Sequence, residues 1–296
     1  MISASFYAAF PIISHYKKIL MQENDELSRI IENGDFQFFL NTLNLKFSVF
    51  QENYFQKNCT LEEFEKKLVE VENKIFHDIY RFLFNDLIKF KEIFHLYEEL
   101  NEAMNGIRQK KRIIKNPFAH IIDNSLTDTR KRSVIYYESR ILQDFFNLMN
   151  KALTELDADD TSFELVQYWI DLYNIKMIYE LKYDYNYKFE EIRPLLLNGS
   201  TKEVYLALEN SEQDHISFTH PFLKKSKVIE ENYYSAFHRS FRKFCKKKMG
   251  GIPFRHSYFL CFFLLIKIDF EVYRQIFAVM KFNLNNSDIN QLLSVS

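Results

Sequence analysis

The sequence predicts an all-α protein. Its 296 residues include only five glycines and five prolines, whereas β-rich folds need a turn roughly every 8 to 12 residues. Apolar residues recur at alternating spacings of three and four over long stretches, which is the pattern of a helix that buries one face. No stretch alternates polar and apolar residues in the manner of a half-buried strand. We therefore expect long helices and short connections.

The first clear helix is predicted to begin at Thr60. The segment TLEE is a capping box, in which the first hydroxyl accepts from the third helical amide and the glutamate reaches back. The apolar stripe that follows consists of Leu61, Phe64, Leu68, Val71, Ile75, Ile79 and Phe82. The helical pattern continues to Gly106, with a break near 85–86. Residues 109–117 are a predicted connection, because Pro117 disfavours helix at the residue before it.

A second pair of helices is predicted at 133–153 and 163–183, separated by the loop LDADDTS. The first of them carries a broad stripe of isoleucine, leucine, phenylalanine and methionine, which indicates a buried face. A short hinge around Pro194 and Gly199 follows.

The C-terminal part is predicted to contain a charged helix at 227–248, a GGIP turn, a hydrophobic helix at 255–281 and a short closing helix. The hydrophobic helix includes the run YFLCFFLLI at 258–266. A membrane span needs about 20 apolar residues to cross a core ~30 Å thick, and charged residues flank this run on both sides. We therefore interpret it as a buried helix.

Composition narrows the functional classes. The 39 basic and 40 acidic residues nearly balance, which argues against electrostatic capture by nucleic acid or lipid. The three cysteines, Cys59, Cys245 and Cys261, are odd in number and lack metal-type spacing, so a reducing compartment is expected. The first residues lack a basic leader before their apolar part, so we expect no signal peptide and a cytoplasmic location.

Candidate catalytic and metal sites were each compared with a simpler interpretation. LDADD resembles half of an acidic metal motif but lacks the second aspartate of DDxxD, so we interpret it as a solvated loop. His215 and His220 lie outside any HExxH arrangement. GGIP is a turn, since no phosphate-binding glycine motif is present. We therefore expect no catalytic residue, no cofactor and no metal site.

Basic clusters are the remaining candidates for partner contacts. The cluster members considered are Lys110, Lys111, Arg112, Arg239, Arg242, Lys243, Lys246, Lys247 and Lys248, together with RKR at 130–132. Phe241 and Phe244 are interleaved in the last cluster and could stack on nucleobases. The alternative is that the aromatic rings face the core while the cations face water, which the balanced net charge favours.

One type of segment recurs three times. An aromatic or apolar residue, an acidic residue and a helical apolar stripe are found in YEELNEAM from Tyr97, in WIDLYNIKM from Trp169 and in IDFEVYR from Ile268. Such recurrence favours internal repetition of a helical unit.

Residues 168–208 resemble the central-stalk rotor subunit of rotary V-type and archaeal-type ATPases. Asp171, Asn174 and Lys176 match a helix of that family. LLLNGS at 195–200 matches the loop that follows, with Gly199 where one glycine is expected. The segment from GGIP to the C-terminus is similar to the family's terminal segment.

The resemblance implies three similar helical bundles around a pseudo-threefold axis, forming a funnel-like socket. The corresponding boundaries here are 1–112, 113–188 and 189–296, with terminal helices able to pair across units. It also implies a non-catalytic rotor subunit that joins the central shaft subunits to the membrane ion-carrying ring on the cytoplasmic face. The alternatives from the residues alone are an all-helical nucleic-acid-binding protein, a helical scaffold or a helical enzyme.

Overall fold

The computed structural model describes residues 4–20, 35–50, 54–83, 88–129, 132–201, 204, 222, 233–251 and 255–282. Within these residues the regular structure is entirely helical and includes no β-strand. The all-α prediction is confirmed. The helices are α1 (Ala4–Leu20), α2 (Phe36–Lys46), α3 (Leu61–Tyr80), α4 (Ile88–Arg108), α5 (Ala119–Thr127), α6 (Val134–Glu155), α7 (Asp160–Tyr179), α8 (Phe189–Ile192), α9 (Tyr233–Met249) and α10 (His256–Phe282).

The chain divides into two compact units. The terminal unit contains residues 1–84 and 226–296, and the middle unit contains residues 85–225. The boundaries drawn from the sequence differ from this division, because residues 85–112 belong with the middle unit while both ends of the chain share one unit. Helices α1 and α10, from the two ends of the described chain, pack on each other. The three predicted bundles and their pseudo-threefold arrangement stay predictions.

Helix α10 is the core of the terminal unit. It packs against α9, α3, α1 and α2, and every residue of the run 258–266 is buried. Aromatic rings fill much of this core, as in the stacked pair of Phe64 and Phe277, whose centroids lie 4.0 Å apart. Among the helices that the structure describes, none is both long enough and apolar enough to cross a membrane. The interpretation of YFLCFFLLI as a buried helix is confirmed.

Two buried ion pairs join α10 to its neighbours. The guanidinium of Arg242 on α9 donates to Asp269 at 2.6 Å, and the two side chains are 12% and 4% exposed. Lys267 forms the second pair with Glu72 on α3. Burial lowers the pKa of Arg242, but the attraction of Asp269 outweighs it and the net shift is upward. Both pairs fix the register of α10 against the helices on either side, because a slip would leave buried charges without partners.

The middle unit is built on the packing of α4 against α6, with α5 and α7 also contacting α6. Its core contains an aromatic cluster in which Trp169 meets Phe145 and Phe146 edge to face, at centroid distances of 5.5 and 5.3 Å. Tyr97 stacks on the same indole at 6.0 Å. Such edge-to-face pairs add about 0.5–1.5 kcal/mol each beyond burial. The cluster holds the middle of α4 against α6 and α7.

Most local predictions are confirmed. Thr60 caps α3 and both halves of the capping box are present. The loop after α6 is confirmed at 156–159, and the hydrophobic helix predicted at 255–281 spans His256–Phe282. Phe82 differs from the expectation, because α3 ends at Tyr80 and the ring is 36% exposed. The short helix predicted after Ser287 lies outside the described residues.

Candidate functional site

Two polar side chains of α7 lie inside the middle unit. Asp171 and Asn174 are both 0% exposed, although the surrounding positions Ile170, Leu172 and Ile175 belong to the apolar core. Residues three apart occupy one face of a helix, so the carboxylate and the amide point in the same direction. A buried polar group needs a hydrogen-bond partner. The partners of both side chains lie in the same loop.

The loop at 196–201 supplies those partners. The Asn174 amide donates to the carbonyl of Leu197 at 3.0 Å and accepts from its N–H at 2.8 Å. Asp171 accepts from the N–H of Thr201 at 2.8 Å and from the hydroxyl of Ser200. We call this arrangement of Asp171, Asn174 and loop 196–201 the helix–loop clamp.

Gly199 makes the turn of this loop possible. Its φ of +92° is a conformation that side-chain-bearing residues rarely adopt. A Cβ at this position would lie 3.3 Å from Cδ1 of Ile170 on α7. The glycine therefore permits both the turn and the close approach of the loop to the helix.

Helix α6 holds the loop from a second side. The hydroxyl of Ser139 donates to the carbonyl of Leu195, and the side-chain oxygen of Gln143 accepts from the N–H of Asn198 at 2.6 Å. Side chains from two helices thus satisfy the backbone on both sides of the turn. The loop is therefore held by hydrogen bonds between its backbone and side chains of α6 and α7.

Three of the four positions that carry the resemblance meet in the clamp. Asp171, Asn174 and Gly199 come together, whereas Lys176 points elsewhere and lies 3.9 Å from Glu180 in a half-exposed pair. Ser139 and Gln143 could not be singled out from the sequence. Their signal was weak, since a serine and a glutamine on a helix are common on any surface. The buried carboxylate and amide of the clamp form hydrogen bonds with the loop, so these two side chains position the loop backbone.

The basic cluster at 109–112 ends α4. Lys110 has a φ of +53°, and the N–H of Lys111 donates to the carbonyl of Gly106 at 2.8 Å, as in a left-handed helix C-cap. Arg112 donates to Asp123 at 3.0 and 3.3 Å. Cations are favourable at a helix C-terminus because they oppose its partial negative charge. A structural role therefore accounts for this cluster, and a partner contact there stays a prediction.

The basic cluster at 239–248 lies on α9, which has no acidic residue. Lys243 and Lys247 are exposed, and Arg239, Lys246 and Lys248 are half-buried. Arg242 differs, because its guanidinium is used inside the unit by Asp269. Phe241 is fully buried and cannot stack on nucleobases, and Phe244 lies beneath the ammonium of Lys248 at 4.9 Å. The interpretation with rings inward and cations outward fits Phe241, Lys243 and Lys247, whereas Arg242 points inward.

Among the residues that the structure describes, no group of three His, Cys, Asp or Glu side chains could hold a metal ion. His215 and His220 lie outside those residues. Cys59, Cys245 and Cys261 are free and buried. Burial, followed by the hydrogen bond to Cys261, raises the pKa of the Cys245 thiol well above its ordinary value. Such a thiol is a poor nucleophile at neutral pH because the thiolate is the reactive form.

The chain was compared with protein-family models, with curated proteins and with solved structures. None of the three comparisons gave a match.

Proposed function

We propose that the chain is a non-catalytic central-stalk rotor subunit of a V-type or archaeal-type ATPase, which joins the rotating shaft to the membrane ion-carrying ring. The observation that carries the proposal is the helix–loop clamp. Asp171, Asn174 and the loop containing Gly199 form one hydrogen-bonded element, and these are residues on which the resemblance rests. The full proposal includes a funnel of three similar bundles around a pseudo-threefold axis.

A coupling protein must transmit torque without yielding, and several features of the chain support such a role. Laterally packed helices resist bending, and protein interiors packed at crystal-like density have low compressibility. In the terminal unit, the buried ion pairs of Arg242 with Asp269 and of Lys267 with Glu72 resist sliding of α10 along its neighbours. In the middle unit, the clamp restrains loop 196–201 through four hydrogen bonds with α6 and α7 whose lengths are 2.6–3.0 Å.

The exposed cations of α9 are the contact that we propose for the partner subunits. Lys243 and Lys247 lie one turn apart on the side of α9 opposite Phe237, Phe241 and Cys245, which are fully buried. A durable interface in a rotating assembly would bury about 2,000 Å² or more. Charges at its rim would set orientation and partner choice more than affinity. An acidic surface on the shaft or on the ring is the complement of this face.

The proposal is tested by purifying the tagged full-length chain from its own cells in a mild detergent and identifying what accompanies it by mass spectrometry. We expect shaft and ring subunits of the ATPase in stoichiometric amounts. The double variant K243E/K247E is expected to reduce their recovery. The control K57E/K66E changes the same number of exposed charges in the same unit and is expected to leave recovery unchanged. Intact ATPase complexes that lack this chain would refute the proposal.

The same preparation separates the alternatives. A nucleic-acid-binding protein would retain RNA or DNA in a strongly salt-dependent manner, because phosphate contacts release counterions. A charge reversal at Lys246, Lys247 and Lys248 would then abolish retention. A scaffold of another kind would bring down a different set of proteins with no ATPase subunit among them.

A further inference from the structure

A polar cleft lies between α5 and the N-terminal half of α6 in the middle unit. Its volume is about 460 Å³, which is within the range of small-molecule sites. His120, Asn124 and Asp128 line one side, and Arg132, Tyr136 and Arg140 line the other. No residue of the helix–loop clamp lines this cleft.

Two arginines share one aromatic ring at this cleft. The guanidinium carbon of Arg132 lies 4.7 Å from the centroid of the Tyr136 ring, and that of Arg140 lies 5.3 Å from it. Positions 132, 136 and 140 are spaced by four, which places the three side chains along one face of the chain as it enters α6. Arg132 also donates to the hydroxyl of Tyr136 at 3.3 Å. The ring therefore holds both cations in place at the cleft.

Neither arginine is neutralised by a carboxylate among the residues that the structure describes. Other arginines of the middle unit behave differently: Arg108 donates to Glu138 at 2.6 Å and Arg112 donates to Asp123 at 3.0 Å. A guanidinium presents five N–H donors in a planar fork. One nitrogen of Arg132 donates to the Tyr136 hydroxyl, and the remaining N–H donors of both forks are available to a ligand in the cleft.

The two carboxylates at the cleft are already engaged. Asp128 accepts from the hydroxyl of Tyr137 and from the N–H of Arg132, the latter at 3.2 Å. Asp144 lies 3.3 Å from a ring nitrogen of His120. The two donors to Asp128 partly offset its negative charge, which lowers its opposition to an anionic ligand.

We propose that this cleft binds a phosphate-bearing small molecule, with Arg132 and Arg140 as the groups that bind its phosphates. Phosphate oxygens match the guanidinium fork, and bidentate charge-assisted bonds of this kind are roughly twice as strong as neutral ones. Because Tyr136 already restricts both side chains, less rotamer entropy is lost when the ligand binds. The phosphate can come from a soluble phosphate ester or from a phosphorylated lipid headgroup.

The test is calorimetric titration of the full-length chain with inorganic pyrophosphate and with inositol 1,4-bisphosphate. A parallel arm measures co-sedimentation with phosphatidylcholine vesicles, with and without phosphatidylinositol 4-phosphate. Binding of the soluble probes alone assigns the site to soluble phosphate esters. Binding to the phosphoinositide vesicles, and not to pure phosphatidylcholine, assigns it to the lipid headgroup. Either result supports the proposal, provided that replacing both arginines weakens the binding.

The double variant R132Q/R140Q is expected to weaken binding of the active probe by at least about tenfold, because it removes the charge-assisted hydrogen bonds from both guanidinium groups to the phosphates. The control R108Q/R112Q removes the same charge from two arginines of the same unit that are ion-paired and do not line the cleft. It is expected to leave binding unchanged. Y136L keeps both charges but removes the ring, and a smaller loss of affinity is expected. Absence of binding in every arm, or an equal loss in the control, would overturn the proposal.

Discussion

Replacing Asn174 by leucine is expected to destabilise the middle unit strongly. The amide makes two hydrogen bonds with the backbone of Leu197, one to its carbonyl at 3.0 Å and one from its N–H at 2.8 Å. Both residues are fully buried, so water cannot replace the lost partner without opening the loop. Leucine is close to asparagine in size, and the change therefore tests the hydrogen bonds rather than a cavity.

The expected loss follows from the two orphaned backbone groups. A buried donor or acceptor left without a partner costs about 1–3 kcal/mol, so the two groups together cost about 2–6 kcal/mol. A domain of this size has a free energy of unfolding of about 5–15 kcal/mol. Since 1 kcal/mol shifts the melting temperature of a domain of 150–250 residues by about 2–4 °C, the midpoint should fall by at least about 4 °C.

Thermal denaturation measures the shift of the midpoint, urea denaturation measures the loss of free energy, and amide hydrogen exchange reports on the loop itself. The matched control is N147L on α6, where the asparagine is exposed and accepts only from Gln143 at 3.2 Å. In N174L the amides of Leu197 and Thr201 should exchange much faster than in the wild type, whereas N147L should leave them protected. If N174L is no less stable than N147L and its loop amides remain protected, the clamp does not hold the loop and the reasoning is refuted.

Four further predictions concern other residues of the two units. R242M alone should lower the free energy of unfolding by about 3–5 kcal/mol, because it leaves Asp269 buried without its partner. The double variant R242M/D269L should be nearly as stable as the wild type when both are compared by urea denaturation. G199A should lower stability by about 1–2 kcal/mol, the cost of a left-handed conformation for a residue with a side chain, and should speed exchange in the loop. Burial raises the pKa of the Glu99 carboxyl group in the folded chain, so its ionised form at neutral pH disfavours folding. E99Q should therefore raise the free energy of unfolding at neutral pH. This gain should vanish below the unfolded pKa of about 4.3, as urea denaturation at several pH values would show. Cys245 should resist iodoacetamide in the native protein and react in urea, as mass spectrometry of the labelled peptide would detect.

Helix positions were predictable because their determinants are local. The Thr60 capping box and the three-and-four spacing after it act within a few residues, and α3 begins where the box places it. The end of α3 was less predictable. Phe82 continues the apolar spacing, but the helix ends at Tyr80 and leaves the ring half-exposed. Apolar spacing indicates which face is buried, and it does not indicate where a neighbouring segment stops covering that face.

Charged side chains were less predictable because their partners are distant in sequence. Four-residue spacing suggests that Lys67 pairs with Glu63 and that Lys74 pairs with Glu70 on α3. Instead, three of these side chains contact Tyr54 in the preceding segment. Lys67 donates to the carbonyl of Tyr54, and Glu70 accepts from its hydroxyl. The ammonium of Lys74 lies over the Tyr54 ring. Likewise, nothing near Arg242 in the sequence indicates that it points inward to Asp269, 27 residues away. Local spacing predicts exposed pairs only where no other segment covers the helix.

The clamp shows which kind of long-range contact a sequence can indicate. Asp171 and Asn174 occur in an α7 segment that is apolar on nearly all sides, so burial is imposed on them and each must find donors or acceptors. Backbone groups of a turn with small residues are the partners that can approach most closely, and Asn198-Gly199-Ser200 is such a turn. The sequence thus indicates two polar side chains that need hydrogen-bond partners and a turn whose backbone groups could provide them. It does not indicate that the two lie close together. The proposed rotor role would also require a fixed turn, because a connection without these hydrogen bonds would deform under torque.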